Sequence, residues 1–260
     1  MLAVLSNGEV ELKGRIPWSS NATFLAAVRA RGPGTATGGP VPPAYRDVPP
    51  GGPGRQPSAP AAGQAMLAIY KPAKGERALW DFPRGLWQRE VAAYELARWL
   101  GWDLVPPTVA RGDGPLGRGS LQYFVDASLD EHYFTLVSSP EHHRALRRIA
   151  TFDLVANNAD RKGGHCLLDQ DGHIWAIDNG LCFHVQPKLR TVIWDFAGER
   201  VDDDLLDSLG PLAGGTVPAA LEGLLGADEI GALVARAVSL RRRRRYPGPA
   251  SEFPYPWPLI

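Results

Sequence analysis

Residues 151–194 read TFDLVANNADRKGGHCLLDQDGHIWAIDNGLCFHVQPKLRTVIW, and their layout decides the fold. The stretch opens inside a helix expected over 141–157, with Leu146, Ile149, Ala150, Leu154 and Val155 on its apolar face. Asp153 interrupts that face, and a buried carboxylate needs partners, so it is expected to brace a neighbouring loop. A polar loop follows, Asn157-Asn158-Ala159-Asp160-Arg161-Lys162-Gly163-Gly164, with nothing apolar larger than alanine. Such a loop is costly to order unless it carries function. Two short strands, 166–168 and 173–177, then flank Asp169-Gln170-Asp171-Gly172, whose Asp-Gly pair signals a tight hairpin. Closing the hairpin brings the loop before its first strand next to the residues after its second. Asp160, His165 and Asp178 are therefore expected to meet in space.

Upstream, residues 9–16 and 22–29 read as strands joined by the turn Pro17-Trp18-Ser19-Ser20-Asn21. Small hydroxyl and amide residues there suit a backbone that approaches something closely. Residues 31–64 are dense in Gly and Pro and hold only Val41, Tyr45 and Val48 as larger apolar side chains. They cannot offset their ordering entropy by burial, so the segment reads as a disordered surface loop inserted between two strands. A polyproline recognition segment is the alternative. Residues 65–70 form a short buried strand stopped by Pro72, which leaves Lys71 at its end.

Residues 84–100 read as a helix closed by Gly101, with Glu90 at the edge of its apolar face. A strand-end lysine and a half-buried helical glutamate can form a fixed ion pair; two unrelated surface charges would look the same. Strands follow at 104–110 and 119–125. Further on, 221–225 and 228–240 read as helices, the second running into Arg241–Arg245. That basic run fits a solvated helix end or a site for an anionic partner. The Pro- and aromatic-rich tail 247–260 reads as an extended arm.

The chain of 260 residues fits one large domain or two lobes around a cleft. Its 28 basic and 28 acidic residues cancel, so no overall field draws it to nucleic acid or membrane. Two cysteines cannot make a disulfide framework, and neither a signal peptide nor a long apolar run is visible. The expectation is a soluble cytoplasmic protein.

Phosphoryl transfer needs a carboxylate to orient or deprotonate the acceptor, a magnesium ligand and a cation on the phosphates. Asp160 fits the first role and Asp178 the second. His165 is a further candidate ligand, although magnesium prefers oxygen, so manganese tolerance or an orienting role stays open for it. A zinc site is the competitor, because His165-Cys166 and Cys182-x-His184 flank the hairpin. Adjacent residues on a strand point to opposite faces, which weighs against zinc.

The segment resembles the catalytic and metal-binding loops of the phosphatidylinositol 3-/4-kinase-like superfamily. It is most similar to the type II phosphatidylinositol 4-kinases and more distantly to the Fam20 and HipA kinases. Asn158-Ala159-Asp160-Arg161 and Ala176-Ile177-Asp178-Asn179-Gly180-Leu181 carry the likeness. The order Asp-Arg, instead of Arg-Asp, marks this branch. Lys71 in Ile69-Tyr70-Lys71-Pro72 matches the family's nucleotide lysine, and Glu90 its helical partner. Ser120-Leu121-Gln122-Tyr123-Phe124-Val125 is similar to the adenine-contacting hinge. The whole chain also resembles an actinobacterial family related to these kinases.

The resemblance implies an α+β, bilobal protein-kinase-like fold. Residues 1–125 would form the N-lobe, an antiparallel sheet plus one helix. Residues 126–246 would form a mainly helical C-lobe, with 247–260 as the arm. It implies ATP and Mg²⁺ (or Mn²⁺) as cofactors, with Asp160, Arg161 and Asn158 catalytic and Asp178 and His165 at the metal. Lys71, Glu90, Ser19, Ser20, Asn21, Gln122, Tyr123, Phe124 and Val125 would hold the nucleotide. His165 stands where lipid kinases carry asparagine, Lys162 is unlike its counterparts, and no lipid-kinase activation segment or membrane-insertion element is visible. The implied reaction is transfer of the γ-phosphate to a protein or small molecule, with no nucleic acid partner and no stable membrane association. A nucleotide-binding pseudokinase scaffold and an AMP transferase remain the alternatives on the same fold.

Overall fold

The computed structural model describes residues 1–17, 19, 21–31 and 64–260. The expected loop over 31–64, and Trp18 and Ser20 of the β-turn, lie outside the described residues apart from Arg31 and Gln64. Five antiparallel strands form one sheet: β1 (Glu9–Arg15), β2 (Phe24–Arg29), β3 (Met66–Pro72), β4 (Thr108–Gly114) and β5 (Gly117–Tyr123). Their order is β1-β2-β3-β5-β4, which puts β3 in the centre with β2 and β5 beside it. Lys71 pairs in register with Ser120, and Phe24 with Tyr70. The pairing with β5 fixes Lys71 at the end of the central strand.

A short helix that the sequence reading missed, α1 (Leu2–Asn7), buries Leu5 in the core of the sheet with Ala26, Val28, Met66, Ala68, Tyr70, Val109 and Leu121. Six residues are too few for a periodic signal. The helix persists because the buried Arg111 guanidinium donates to Leu5 O at 2.8 Å and Gly8 O at 3.0 Å, satisfying its terminal carbonyls. Helix α2 (Leu86–Trp99) packs against β4 and β5 and is buried almost all round, Glu90 and Arg89 included. Its first turn is capped from a distance: Glu76 accepts from Gly85 N at 3.0 Å and Trp87 N at 2.7 Å.

The strand expected over 104–110 begins only at Thr108. Pro106 and Pro107 cannot donate to a ladder, so 104–107 is an irregular lead-in whose Leu104 and Pro107 carbonyls accept from Ala176 N and Tyr123 N.

The second half is mainly helical: α3 (Tyr133–Leu136), α4 (His143–Ala156), α5 (Asp203–Ser208), α6 (Gly210–Ala213) and α7 (Ala227–Arg243). The two-stranded hairpin β6 (Cys166–Leu168) and β7 (Ile174–Ala176) lies between α4 and α5 in sequence. Helix α4 carries Leu146, Ile149, Phe152 and Val155 into one large core that also takes in α2, the hairpin and α7. Shared burial in that core is what fixes α2, and with it Glu90, against the second half of the chain.

Three of the five arginines at the end of α7 are engaged by the protein itself. Arg241 Nε donates to Leu206 O at 2.9 Å, Arg244 pairs with Asp203 at 2.5 Å, and Arg245 donates to Gly198 O at 2.6 Å. The tail 247–260 forms no helix or strand, and it docks on the segments around Gly163 and Thr191. Pro254 O accepts from Thr191 N at 3.1 Å, and Leu259 O from Gly163 N at 2.7 Å. No helix among the described residues is long and apolar enough to cross a membrane.

Candidate active site

The site is assembled where the end of β3, the middle of α2 and the two ends of the hairpin converge. Lys71 Nζ donates to Asp178 Oδ1 at 2.8 Å and also bonds Glu90. Burial alone would lower the lysine pKa, but the Asp178 and Glu90 carboxylates outweigh it and hold the ammonium charged, above its usual range. Lys71 in turn drives Asp178 well below the ordinary carboxylate range. For Glu90 burial dominates, so its pKa is raised despite the lysine. Its second oxygen accepts from Asn179 N at 3.0 Å. The open alternative of two unrelated surface charges is thus excluded by contact: Glu90 is 2% exposed and serves both β3 and the loop after β7.

Asp178 is half-exposed and adopts a left-handed backbone, φ 57°, an uncommon conformation for a residue with a side chain. The next two residues explain how it is held. Asn179 is fully buried; it donates to Ala176 O at 3.1 Å and accepts from Arg161 Nη2 at 2.7 Å. Gly180 leaves room for Glu90: a Cβ there would lie 3.3 Å from Glu90 Oε1. The Asp-Asn-Gly run therefore works as one exposed carboxylate on a buried clamp.

On the other side of the hairpin, Asp160 is partly exposed and pairs with Lys162 Nζ at 3.0 Å. Burial raises its pKa to about 6; Lys162 opposes the rise and the Asp178 charge adds to it. His165 Nε2 lies 3.4 Å from Asp178 Oδ2. Burial lowers the imidazole pKa to about 4, so the ring is neutral at physiological pH. Its Nδ1 accepts from Lys162 N at 3.3 Å, which places the ring proton on Nε2, facing the Asp178 carboxylate. In this arrangement His165 orients Asp178 and offers it no free lone pair.

Two residues expected to be catalytic are placed elsewhere. Arg161 and Asn158 are both fully buried. Arg161 grips Asp153 through Nε at 3.0 Å and Nη2 at 2.9 Å and donates to Ile177 O at 2.7 Å. Asn158 donates to Asp153 Oδ1 at 3.0 Å and accepts from Asp160 N at 2.9 Å. They position the loop instead of facing the cleft, because a guanidinium whose every strong contact lies inward has none left for a substrate. Asp153 braces the loop as its place in α4 suggested.

The hinge expectation is also narrowed. The Gln122 side chain turns inward to Thr108 Oγ1 at 2.8 Å, and the amides of Tyr123 and Phe124 donate to Pro107 O and Leu67 O. Val125 follows as the first hinge residue whose amide donates to no described backbone carbonyl. In the β1–β2 turn, Ser19 Oγ bonds Thr23 Oγ1 at 2.8 Å and Asn21 Oδ1 accepts from Arg77 N at 2.9 Å. The second bond ties the turn to the segment that follows Lys71. Ser20 lies outside the described residues.

The zinc alternative finds no support. Cys166 and Cys182 are buried free thiols, and among the described residues no cluster of three or more His, Cys, Asp or Glu is arranged to hold a metal. Burial pushes the Cys166 thiol up to about 12, which keeps it protonated and a poor ligand.

The chain is 38% identical to Protein Rv2133c of Mycobacterium tuberculosis over 295 aligned residues, spanning 99% of this chain and 95% of that protein. The chain belongs to the Rv2133c family. A second relative of this Rv2133c family member, phosphatidylinositol 4-kinase gamma 4 of rice, is 30% identical over 158 residues, 47% of this chain but 28% of that protein. No protein-family profile matches. Two solved structures share the fold of the Rv2133c family at a TM-score of 0.51 each: hydra Fam20 with sugar, and the Helicobacter pylori proinflammatory kinase CtkA. Both are remote in sequence, at 12% and 11% identity, and both cover 93% of this chain. They cover their own chains to 86% and 94% respectively. The fold is therefore kinase-like, α+β, as the resemblance implied.

The sequence reading missed Lys162 as a partner of Asp160, Asn179 as the bond between the loops, and Glu76 as the remote cap of α2. Asn179 lay inside a quoted motif, but a buried amide and an exposed one look alike in sequence. Glu76 left no signal, since it caps across an irregular turn.

Proposed function

We propose that this protein is an ATP-dependent phosphotransferase acting on a protein or small-molecule acceptor. The observation that carries the reading is the convergence of Lys71, Glu90, Asp178 and Asp160 in one cleft, with a charged lysine, a strongly ionised aspartate and a second aspartate whose pKa lies near neutrality. Lys71, held by Glu90, supplies the positive charge for the nucleotide phosphates. Asp160 accepts the hydrogen bond of the acceptor hydroxyl and takes its proton as the phosphoryl group transfers; a base with a pKa of about 6 is mostly ionised at neutral pH. Lys162, beside Asp160, offsets negative charge gathering on that side of the cleft.

Magnesium fits this donor set. It keeps several waters and takes one or two carboxylates plus phosphate oxygens, so a full protein cage is not required. Asp178, exposed and ionised, is the carboxylate that would hold it, and His165 would orient that carboxylate. The ion supplies neutralisation of the phosphate charge.

The test is thermal stabilisation of the purified chain by ATP with Mg²⁺ or Mn²⁺, followed by intact-mass analysis of candidate acceptors and of the chain itself. A gain of 80 Da marks phosphoryl transfer and one of 329 Da AMP transfer (nominal masses, about). A ligand at 100 times its dissociation constant stabilises by roughly 2.7 kcal/mol, which such a measurement resolves. No stabilisation by any nucleotide would sink the proposal. Stabilisation with identical behaviour of the parent and Asp160→Ala toward every acceptor would favour a scaffold.

A further inference from the structure

Residues 254–260 lie across the two loops that flank Asp160. The loops are first joined to each other: Arg161 N donates to Arg190 O at 3.0 Å, Val192 N to Arg161 O at 3.1 Å, and Arg190 N to Asn158 O at 2.9 Å. The arm then spans both, through Pro254 O with Thr191 N and Leu259 O with Gly163 N. Thr191 and Gly163 are buried, so their amides would be costly to leave without an acceptor. Gly163 is also confined from two sides. A Cβ at that position would lie 3.1 Å from the Phe134 ring and 3.4 Å from Ile260 Cγ1.

That contact point sits in the middle of a single turn, Lys162 to His165. One end of the turn pairs with Asp160 and the other faces Asp178. The arm touches the piece of chain whose position sets both carboxylates' neighbours.

The arm's composition suits it to docking without a core of its own. Pro254, Pro256 and Pro258 alternate with Phe253, Tyr255, Trp257 and Leu259. The prolines restrict the segment's backbone before it docks and reduce the entropy lost when it does. Of these residues only Pro256 is buried, whereas Phe253, Tyr255, Trp257, Leu259 and Ile260 are exposed. A few backbone bonds hold the arm, and a large apolar interface does not.

We propose that residues 254–260 are a positioning strap for the loop that carries Asp160. Docked, the strap fixes the Lys162–His165 turn opposite Asp160 and Asp178; undocked, the turn loosens and the chemical step slows. The catalytic consequence rests on the phosphotransfer reading, and the structural consequence does not. An arm that instead blocked the acceptor would have the opposite sign.

The test compares the full chain, a chain ending at Phe253, and the full-length variant Pro256→Asp, which keeps the arm but puts a charge at its one buried residue and so disfavours docking. Amide hydrogen exchange should speed up in residues 161–165 and 190–194 of both altered chains, while β3 and α2 exchange as before. With Mg²⁺ and ATP, kcat should fall about tenfold or more while the KM for ATP changes less than about twofold. The synthetic peptide EFPYPWPLI (residues 252–260), added in trans, should restore kcat to the shortened chain. Unchanged exchange in both loops overturns the strap, as does a kcat equal to or above that of the full chain. If the intact chain transfers nothing to any acceptor, the phosphotransfer reading falls and the exchange result alone decides the strap.

Discussion

Arg161 donates from Nη2 to Asn179 Oδ1 at 2.7 Å, and this bond joins the loop carrying Asp160 to the loop carrying Asp178. The same guanidinium grips Asp153 on α4 with neither partner exposed by more than 1%. Breaking a buried pair by removing one partner leaves an uncompensated charge, which costs about 3–5 kcal/mol. Asp153→Ala should therefore lower the unfolding free energy in urea by about that amount. Replacing both partners by apolar residues of similar volume, Asp153→Leu with Arg161→Met, should cost less than the single change. If the double variant were the less stable of the two, the pair would be contributing net stability, and its description as a positioning device would be wrong.

Lys71 and Asp178 are predicted to carry separate parts of nucleotide and metal binding. Lys71 is only partly exposed, and its removal leaves the buried Glu90 without its cation. Lys71→Met should reduce phosphoryl transfer by about two to three orders of magnitude and also lower the unfolding midpoint, a loss that adding Glu90→Gln should largely recover. Asp178→Asn should abolish the stabilisation that ATP gives in the presence of Mg²⁺. Thermal shift and turnover on the same preparations check both. An Asp178→Asn chain that still gained full stability from Mg²⁺-ATP would move the metal elsewhere.

His165 gives a graded outcome. Its ring proton faces Asp178 Oδ2, so it orients the carboxylate. Partners that orient a ligand typically govern metal affinity by 10–100-fold (roughly). His165→Ala should raise the Mg²⁺ or Mn²⁺ concentration needed for half-maximal turnover by about tenfold, with the saturated rate little changed. A fall in the saturated rate without a change in metal requirement would place His165 in the chemistry instead.

The parts that were legible in the sequence were those with local signals. The hairpin over 166–177 announced itself by an Asp-Gly turn between two apolar runs, and β6 occupies the expected Cys166–Leu168. Helix α4 was legible because its apolar face is strongly periodic, and Asp153 stood out as the one charge on that face. Lys71 and Glu90 were legible as a strand end and a helix position, although only the structure makes them partners. What escaped was set by distant contacts. Helix α1 depends on Arg111, more than a hundred residues away; α3, α5 and α6 are a turn or two long and stand on tertiary packing. Arg161 and Asn158 carry the family pattern but face inward, because burial belongs to the folded chain and not to the motif.

Asp160 should impose a pH signature on both activity and stability. Its folded pKa of about 6 lies above the ordinary 3.8, so the folded state holds its proton more tightly than the unfolded chain does. Stability from this group is therefore fully present below about pH 4 and is lost as the pH rises through about 6. Asp160→Asn removes the ionisation and should be more stable than the parent at pH 7.5 by about 1–3 kcal/mol, with the difference vanishing below pH 4. With Asp160 as the proposed base the active form is the ionised one, so kcat/KM should rise about tenfold per pH unit up to about pH 6 and level off above it. Lys162 lowers the Asp160 pKa, so Lys162→Met should move that break to higher pH. Parallel urea titrations and pH–rate profiles measure both effects. A break that stayed in place in Lys162→Met would assign the titration to a group other than Asp160.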